Sequence, residues 1–99
     1  MYEIEFSENV EKDLRKIRNY NRKIILDAVE QQLAHRPNNA TKNRKILVNL
    51  NPPFESMPPI WELRVGDYRV FYDVDRDSKK VYVRAVRKKP LHRTTEEIL

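Results

Sequence analysis

The chain has a single glycine, Gly66, and it lies between two alternating runs, Trp61–Val65 and Tyr68–Tyr72. Both runs are rich in β-branched and aromatic residues, which is typical of strands. Gly-Asp between two such runs favours a two-residue reversal, in which glycine adopts positive φ without steric cost. The sequence therefore predicts a β-hairpin over residues 61–72, in which Arg64 lies directly opposite Arg69.

The two faces of this hairpin differ in character. One face carries the apolar side chains and is the predicted core face. Two arginines directly opposite each other destabilise a sheet, but a face that receives an anion tolerates them. The alternative is an ordinary solvated face on which the acids partly neutralise the arginines. The first face carries Trp61, Leu63, Val65, Tyr68, Val70 and Tyr72; the second carries Glu62, Arg64, Arg69, Phe71 and Asp73.

Before the hairpin, the sequence indicates one strand and two helices. Residues 2–6 alternate apolar and acidic side chains, which predicts a half-buried strand. Ser7 offers an N-cap for a first helix, which we expect to end at a break over residues 19–21. A second amphipathic pattern over residues 24–33 predicts another helix, which must stop before Pro37 because proline disfavours helix in the preceding residue.

Residues 37–59 form a long, proline-containing loop, and loops of this length in small domains are often functional. Within it, residues 46–48 fit either a short strand or a helical turn. Residues 81–86 predict a third strand after the hairpin, and residues 94–99 at most a helical turn. We therefore expect one α+β domain over residues 1–99. Two N-terminal helices would pack on one face of a small, mainly antiparallel twisted sheet in the order β-α-α-β-β-β, with the other face uncovered.

The charge distribution points to an anionic partner. The net charge is +5, and residues 76–93 hold eight Lys or Arg against one acid. Nucleic acid is the first expectation, an acidic protein the second and a membrane surface the third. The chain has no cysteine, its two histidines lie far apart, and no apolar run approaches the ~20 residues of a membrane span. We expect no metal, no cofactor and a cytoplasmic protein.

A basic sheet face without a metal suits phosphoryl transfer within RNA. The 2′-hydroxyl of the RNA attacks the adjacent phosphate, so the protein supplies cations for the developing charge and groups that move protons. Arginine fits the first role because its guanidinium matches phosphate oxygens. Glu62, Glu55 and His92 are all candidates for the second.

Further residues are candidates for binding RNA. Phe71 and Tyr82 are aromatic strand residues that would stack on splayed bases, although strand aromatics are more often packing residues. Basic side chains before the hairpin and along the third strand would contact phosphates. These are Lys42, Arg44, Lys45, Arg84, Arg87 and Lys88.

Residues 61–75 and 81–86 resemble the RelE/ParE superfamily of toxins from bacterial type II toxin–antitoxin systems. The pattern L-R-x-G-x-Y-R-x-x-Y over residues 63–72 carries most of this resemblance. In the RelE branch it implies a ribosome-dependent endoribonuclease that cuts mRNA in the A site, inhibits translation, and is neutralised by a cognate antitoxin in a higher-order complex. It also implies that Arg69 contacts the scissile phosphate, that Lys89 stabilises the transition state, and that Arg64 assists from the preceding strand.

The chain departs from the RelE pattern in two places. Ile60 and Glu62 stand where lysines are frequent, and the C-terminal tail has His92 and Thr95 but no tyrosine. Glu55 or Glu62 together with His92 would then be the acid–base pair. A ParE-like toxin that binds DNA gyrase and cleaves nothing is the alternative, and a non-toxic module that binds only an antitoxin is another.

Overall fold

The computed structural model describes residues 1–99 and contains five strands and three helices. The strand order is β1-β5-β4-β3-β2, with β1 parallel to β5 and the other neighbours antiparallel. The predicted α+β architecture is confirmed, and residues 46–47 belong to a strand rather than a helical turn. The elements are β1 (Glu3–Phe6), α1 (Glu8–Arg15), α2 (Asn19–Leu33), β2 (Arg44–Leu47), β3 (Ile60–Val65), β4 (Tyr68–Asp75), β5 (Lys80–Lys88) and α3 (Thr95–Ile98).

The connection between the two long helices differs from the sequence prediction. The expected break at residues 19–21 is wrong, because α2 already begins at Asn19. The interruption lies at residues 16–18, where the Ile17 N–H bonds to the Leu14 carbonyl in the manner of a closing turn. Arg22 donates from Nη2 to the Ile17 carbonyl at 2.9 Å. This side-chain contact stabilises the turn. The spacing of apolar residues in the sequence does not predict it.

The hydrophobic core lies between the two long helices and one face of the sheet. Trp61 and Tyr72 stack on neighbouring strands, with ring centroids 6.2 Å apart and planes 18° apart. The predicted core face of the hairpin is confirmed, although Tyr68 is only partly buried. No helix is both long and apolar enough to cross a membrane. The core comprises Val10, Ile25, Val29, Leu33, Trp61, Leu63, Val65, Val70, Tyr72, Val81, Val83 and Val86.

The second face of the sheet is partly covered by the proline-containing loop, which corrects the sequence expectation of an uncovered face. Phe71 and Asp73, both on this face, are fully buried. The ring of Phe54, from the proline-containing loop, lies 6.2 Å from the Phe71 ring, and the Met57 N–H donates to Asp73 Oδ2 at 3.0 Å. The loop folds back on the sheet because an apolar ring and a carboxylate on this face both need partners.

One residue of β5 has no partner on β4. The register passes from Phe71–Ala85 to Tyr72–Val83, which leaves Arg84 in a β-bulge. A bulge re-aims the side chain of the extra residue. Here Arg84 is directed at the buried carboxylate of Asp73, with Nε to Oδ2 at 2.8 Å and Nη2 to Oδ1 at 3.2 Å.

Tyr72→Phe is expected to lower the free energy of unfolding by about 1–3 kcal/mol. The Tyr72 hydroxyl is fully buried and donates to the Pro37 carbonyl at 2.6 Å, and burial raises the pKa of this phenol. Removing the hydroxyl leaves that carbonyl without its partner. Urea unfolding measures the change, and Tyr20→Phe is the matched control because Tyr20 is 78% exposed. Equal stability of the two variants would contradict the prediction.

Candidate functional site

The turn of the β3–β4 hairpin has the predicted geometry. Arg64 pairs with Arg69 and Val65 with Tyr68, so the loop consists of two residues. Gly66 has a φ of +56° with no atom near the position of a Cβ. Glycine is therefore needed for its backbone conformation and not for space. The turn fixes both arginines on the same face of the sheet.

A polar cavity of about 130 Å³ lies on this face, near the end of the hairpin. Three segments supply its lining: β2 with the residues before it, the hairpin, and the first residue after β5. Backbone hydrogen bonds hold the segments together, from Arg64 N to the Asn43 carbonyl and from Lys89 N to the Asp67 carbonyl, both at 2.7 Å. We call this the cationic cavity; it is lined by Lys42, Asn43, Arg44, Lys45, Glu62, Arg64, Arg69 and Lys89.

The cationic cavity brings together half of the residues selected from the sequence. Four of the six catalytic candidates line it, and so do three of the eight RNA-binding candidates. Six cationic side chains face one carboxylate, so the cavity is suited to an anion. Arg44 is partly structural, because its Nη1 donates to the Gln32 carbonyl at the end of α2.

Arg69 is the most constrained cation of the cavity, with only 7% of its surface exposed. Its Nη1 donates to the carbonyls of Gly66 and Tyr68, both at 2.8 Å. Burial lowers the pKa of Arg69; Glu62 opposes this shift and Arg64 adds to it. The guanidinium nevertheless stays charged at neutral pH. Both of its hydrogen bonds use Nη1, which leaves Nε and Nη2 to bind an anion.

Glu62 is the single carboxylate of the cavity and is 4% exposed. Its Oε2 accepts a hydrogen bond from Thr95 Oγ1 at 2.6 Å, at the start of α3. Its Oε1 lies 3.5 Å from Lys45 Nζ, whose side chain is 64% exposed. Sequence reasoning missed the contact with Thr95, because no local pattern links residues 33 positions apart. This contact fixes one oxygen of Glu62 and leaves the other beside an exposed ammonium.

The two other proton-transfer candidates lie outside the cavity. His92 is an exposed tail residue with a φ of +69° and is not part of the lining. Glu55 lines a different cavity, formed by the proline-containing loop. The structure therefore places only Glu62, of the three candidates, beside the arginines.

Several RNA-binding candidates have other partners. Phe71 is fully buried beneath Phe54, so the prediction that it stacks on a base is wrong. The Arg84 guanidinium lies 4.8 Å from the centroid of the Tyr82 ring and is bonded to Asp73. These two side chains form an internal contact on the second face of the sheet.

The end of β5 directs its basic residues to different sides. Arg87 donates from Nη1 to Asp13 Oδ2 of α1 at 2.5 Å. Lys88 lines clefts on the helix side of the sheet, whereas Lys89 lines the cationic cavity. Only Lys89 of the three therefore joins Arg64 and Arg69.

Comparisons with known proteins identify the family and the fold of the chain. A family model described as the ParE toxin of the type II toxin–antitoxin system parDE matches residues 4–89. No curated protein matches the chain. Among solved structures, the RelBE2 toxin–antitoxin complex of Mycobacterium tuberculosis aligns with a TM-score of 0.69 and 19% identity, over 89% of this chain and 98% of that one.

Two further structures have the same fold. The isolated Escherichia coli RelE toxin aligns with a TM-score of 0.68 and 21% identity, over 96% of this chain and 89% of that one. The archaeal RelE–RelB complex of Pyrococcus horikoshii aligns with a TM-score of 0.62 and 22% identity, over 94% of this chain and 98% of that one. The family model covers most of the sequence, and the fold is shared with RelE toxins. The chain belongs to the ParE toxin family of type II toxin–antitoxin systems.

Proposed function

We propose that this toxin is a ribosome-dependent endoribonuclease that cuts mRNA and thereby inhibits translation. The observation that carries the proposal is that Arg64, Arg69 and Lys89 line one cavity on the sheet face away from the long helices. Three cations around one small cavity match the charge that develops on a phosphate during transfer. A target on the ribosome implies a protein that works in the cytoplasm.

In the proposed reaction the RNA supplies its own nucleophile. The 2′-oxygen attacks the adjacent phosphorus, the bond from phosphorus to the 5′-oxygen breaks, and the products are a 2′,3′-cyclic phosphate and a 5′-hydroxyl. Arg69, held by two carbonyls, offers its remaining N–H groups to the phosphate, and Arg64 adds charge from the next strand. Glu62 accepts the 2′-hydroxyl proton, and the Lys89 ammonium donates one to the 5′-oxygen.

A cognate antitoxin is the expected protein partner. Two of the structures that share this fold are complexes with an antitoxin or with RelB. An apolar groove of about 340 Å³ lies between β1 and α2, and Phe6 at its edge is 41% exposed. An amphipathic antitoxin segment would bury this groove. The groove is lined by Met1, Tyr2, Ile4, Phe6, Leu26, Val29, Glu30 and Ala34.

Inhibition of DNA gyrase without RNA cleavage is the second candidate function. Two observations favour it: the matching family model is that of ParE, and His92 lies outside the cationic cavity. In that case the cavity would bind an acidic surface and would need no proton-transfer groups.

Two assays with the purified toxin distinguish these functions. We expect incubation with ribosomes and mRNA to give discrete new 5′ ends by primer extension, and ribosome-free mRNA to stay intact. DNA gyrase should keep its supercoiling activity at the same toxin concentration. If mRNA on ribosomes stays intact and supercoiling is blocked, the toxin is a gyrase inhibitor and not an endoribonuclease. The control is preincubation with the co-expressed antitoxin, which tests whether the observed activity belongs to the toxin.

A further inference from the structure

A second basic surface lies where α1 joins α2. Residues 12–23 contain six Lys or Arg and one acid, Asp13. Asp13 is already engaged, because its Oδ2 accepts hydrogen bonds from the Val86 N–H at 3.0 Å and from Arg87 Nη1 at 2.5 Å. Arg22 is engaged as well, through the Ile17 carbonyl. Five cations are exposed and take part in none of the salt bridges: Lys12, Arg15, Lys16, Arg18 and Lys23.

These like charges are close together, which has a cost. Lys12, in the last turn of α1, and Lys16, the C-cap residue, are four residues apart, and like charges at this spacing repel each other. Arg18 lies in the short connection to α2, so its charge adds to theirs. An anionic ligand would offset this repulsion, whereas solvent only screens it.

An exposed aromatic side chain lies within this basic segment. Tyr20, in the first turn of α2, is 78% exposed. It comes two residues after Arg18 and three before Lys23, so cations flank it along the chain. Aromatic side chains among basic residues are typical of surfaces that stack nucleic-acid bases and bind the backbone.

The basic segment borders a cleft of about 480 Å³ between α1 and the end of β5. Ile17, Tyr68 and Val86 contribute apolar surface to the cleft, and Lys16 and Lys88 contribute positive charge. Apolar surface with cations beside it matches a nucleotide, whose base and sugar are less polar than its phosphate. We call Lys16, Arg18, Tyr20 and Lys88 the helix-tip surface.

The helix-tip surface and the cationic cavity come close to each other at the end of β5. Lys88 lines the cleft beside the helices and the next residue, Lys89, lines the cavity. Successive residues of a strand are only about 3.3 Å apart. The two surfaces are therefore neighbours at the end of β5, where Lys88 and Lys89 point to opposite faces of the sheet.

We propose that the helix-tip surface is a second RNA-binding site, separate from the cavity that receives the scissile phosphate. Lys16, Arg18 and Lys88 bind the backbone of a folded RNA, and Tyr20 stacks on one of its unpaired bases. This inference rests on the proposed function, and it identifies the kind of RNA that would hold the toxin in place on its target. The cations bind the backbone and the aromatic ring stacks on a base, so removing each should change RNA binding in a different way.

The test uses the full chain and a short fluorescent RNA stem–loop whose riboses are all 2′-O-methylated, so that it cannot be cleaved. We expect K16Q/K88Q to bind about tenfold more weakly and to lower the dependence of log Kd on log salt by about two between about 50 and 200 mM KCl. The matched control is R36Q/R76Q, which removes two exposed charges outside both surfaces and should bind like the wild type.

Tyr20→Ala gives the second signature. It should weaken binding of the stem–loop about tenfold, since stacking on an aromatic contributes about 1–3 kcal/mol per base. Its salt dependence should equal that of the wild type, because no charge is removed. Circular dichroism and the melting temperature confirm that each variant is folded.

Equal affinities and equal salt dependences for K16Q/K88Q and R36Q/R76Q would overturn the inference. Preference of the wild type for a glutamate-rich peptide over the stem–loop would overturn it too, because the surface would then be a protein-binding site. Loss of binding only in K16Q/K88Q and Tyr20→Ala would support it. Since the probe cannot be cleaved, this result is independent of the ribosome assay, so the inference and the proposed function fail separately.

Discussion

Arg69→Ala is expected to lower kcat/KM for ribosome-dependent mRNA cleavage by about 10²–10³-fold, the usual effect of removing one donor that stabilises a transition state. The guanidinium is held by the carbonyls of Gly66 and Tyr68, so it is pre-organised before RNA arrives. Arg69→Lys should retain only part of the activity, because an ammonium keeps the charge but lacks the planar fork. Cleavage rates at saturating and subsaturating ribosome–mRNA complex separate the loss in kcat from the change in KM.

Arg76→Ala is the control for this experiment, because Arg76 is an exposed arginine in the β4–β5 turn and lines neither basic surface. Its cleavage rate should equal that of the wild type. Arg69 also supports the hairpin turn, so urea unfolding of each variant must accompany the kinetics. If the Arg69→Ala variant is folded and cleaves mRNA at the wild-type rate, the cavity does not have the proposed catalytic role.

Asp73→Asn is expected to destabilise the fold by about 3–5 kcal/mol, the usual cost of breaking a buried ion pair by neutralising one partner. The Asp73 carboxylate is fully buried and accepts three hydrogen bonds: Nε and Nη2 of Arg84 and the N–H of Met57. An amide cannot accept all three, and the Arg84 guanidinium, 14% exposed, loses its counter-charge. For a domain of this size the melting temperature should fall by roughly 12–40 °C.

Asp77→Asn is the matched control, because Asp77 is an exposed aspartate in the turn after β4. Its melting temperature should stay near that of the wild type. Asp73→Asn should also expose the proline-containing loop to proteolysis, since the Met57 contact anchors this loop. In the double variant Asp73→Asn/Arg84→Met, the loss should be smaller than the sum of the two single losses. Additive losses would mean that the pair is not energetically coupled.

The two faces of the sheet have different roles in this fold. The helix-covered face contains the hydrophobic core and, at the end of β5, the cleft beside α1. The second face carries both the internal contact of Asp73 with Arg84 and, nearer the hairpin turn, the cationic cavity. Cover from the proline-containing loop stops short of Arg64, which stays exposed. The end of the hairpin, where the proposed reaction takes place, therefore stays uncovered.

Local sequence determined the hairpin and the character of its two faces. A period of two in residues 61–72, with glycine at the turn, fixes the pairing of Arg64 with Arg69 and separates the core face from the polar face. The amphipathic patterns of the helices likewise determined which side of the sheet they cover. These features depend on neighbours in the chain, so spacing is enough to predict them.

Only the tertiary structure decided which residues share the cavity and which do not. Thr95 bonds to Glu62, Met57 to Asp73 and Arg87 to Asp13 across 33, 16 and 74 positions of the chain. No periodicity links such distant residues, because each pair forms only when a loop, the tail or a helix closes onto the sheet. For this reason the sequence chose Phe71 and Arg84 for RNA and missed the contact of Thr95. The folded chain buries Phe71, pairs Arg84 with Asp73 and brings Thr95 to Glu62.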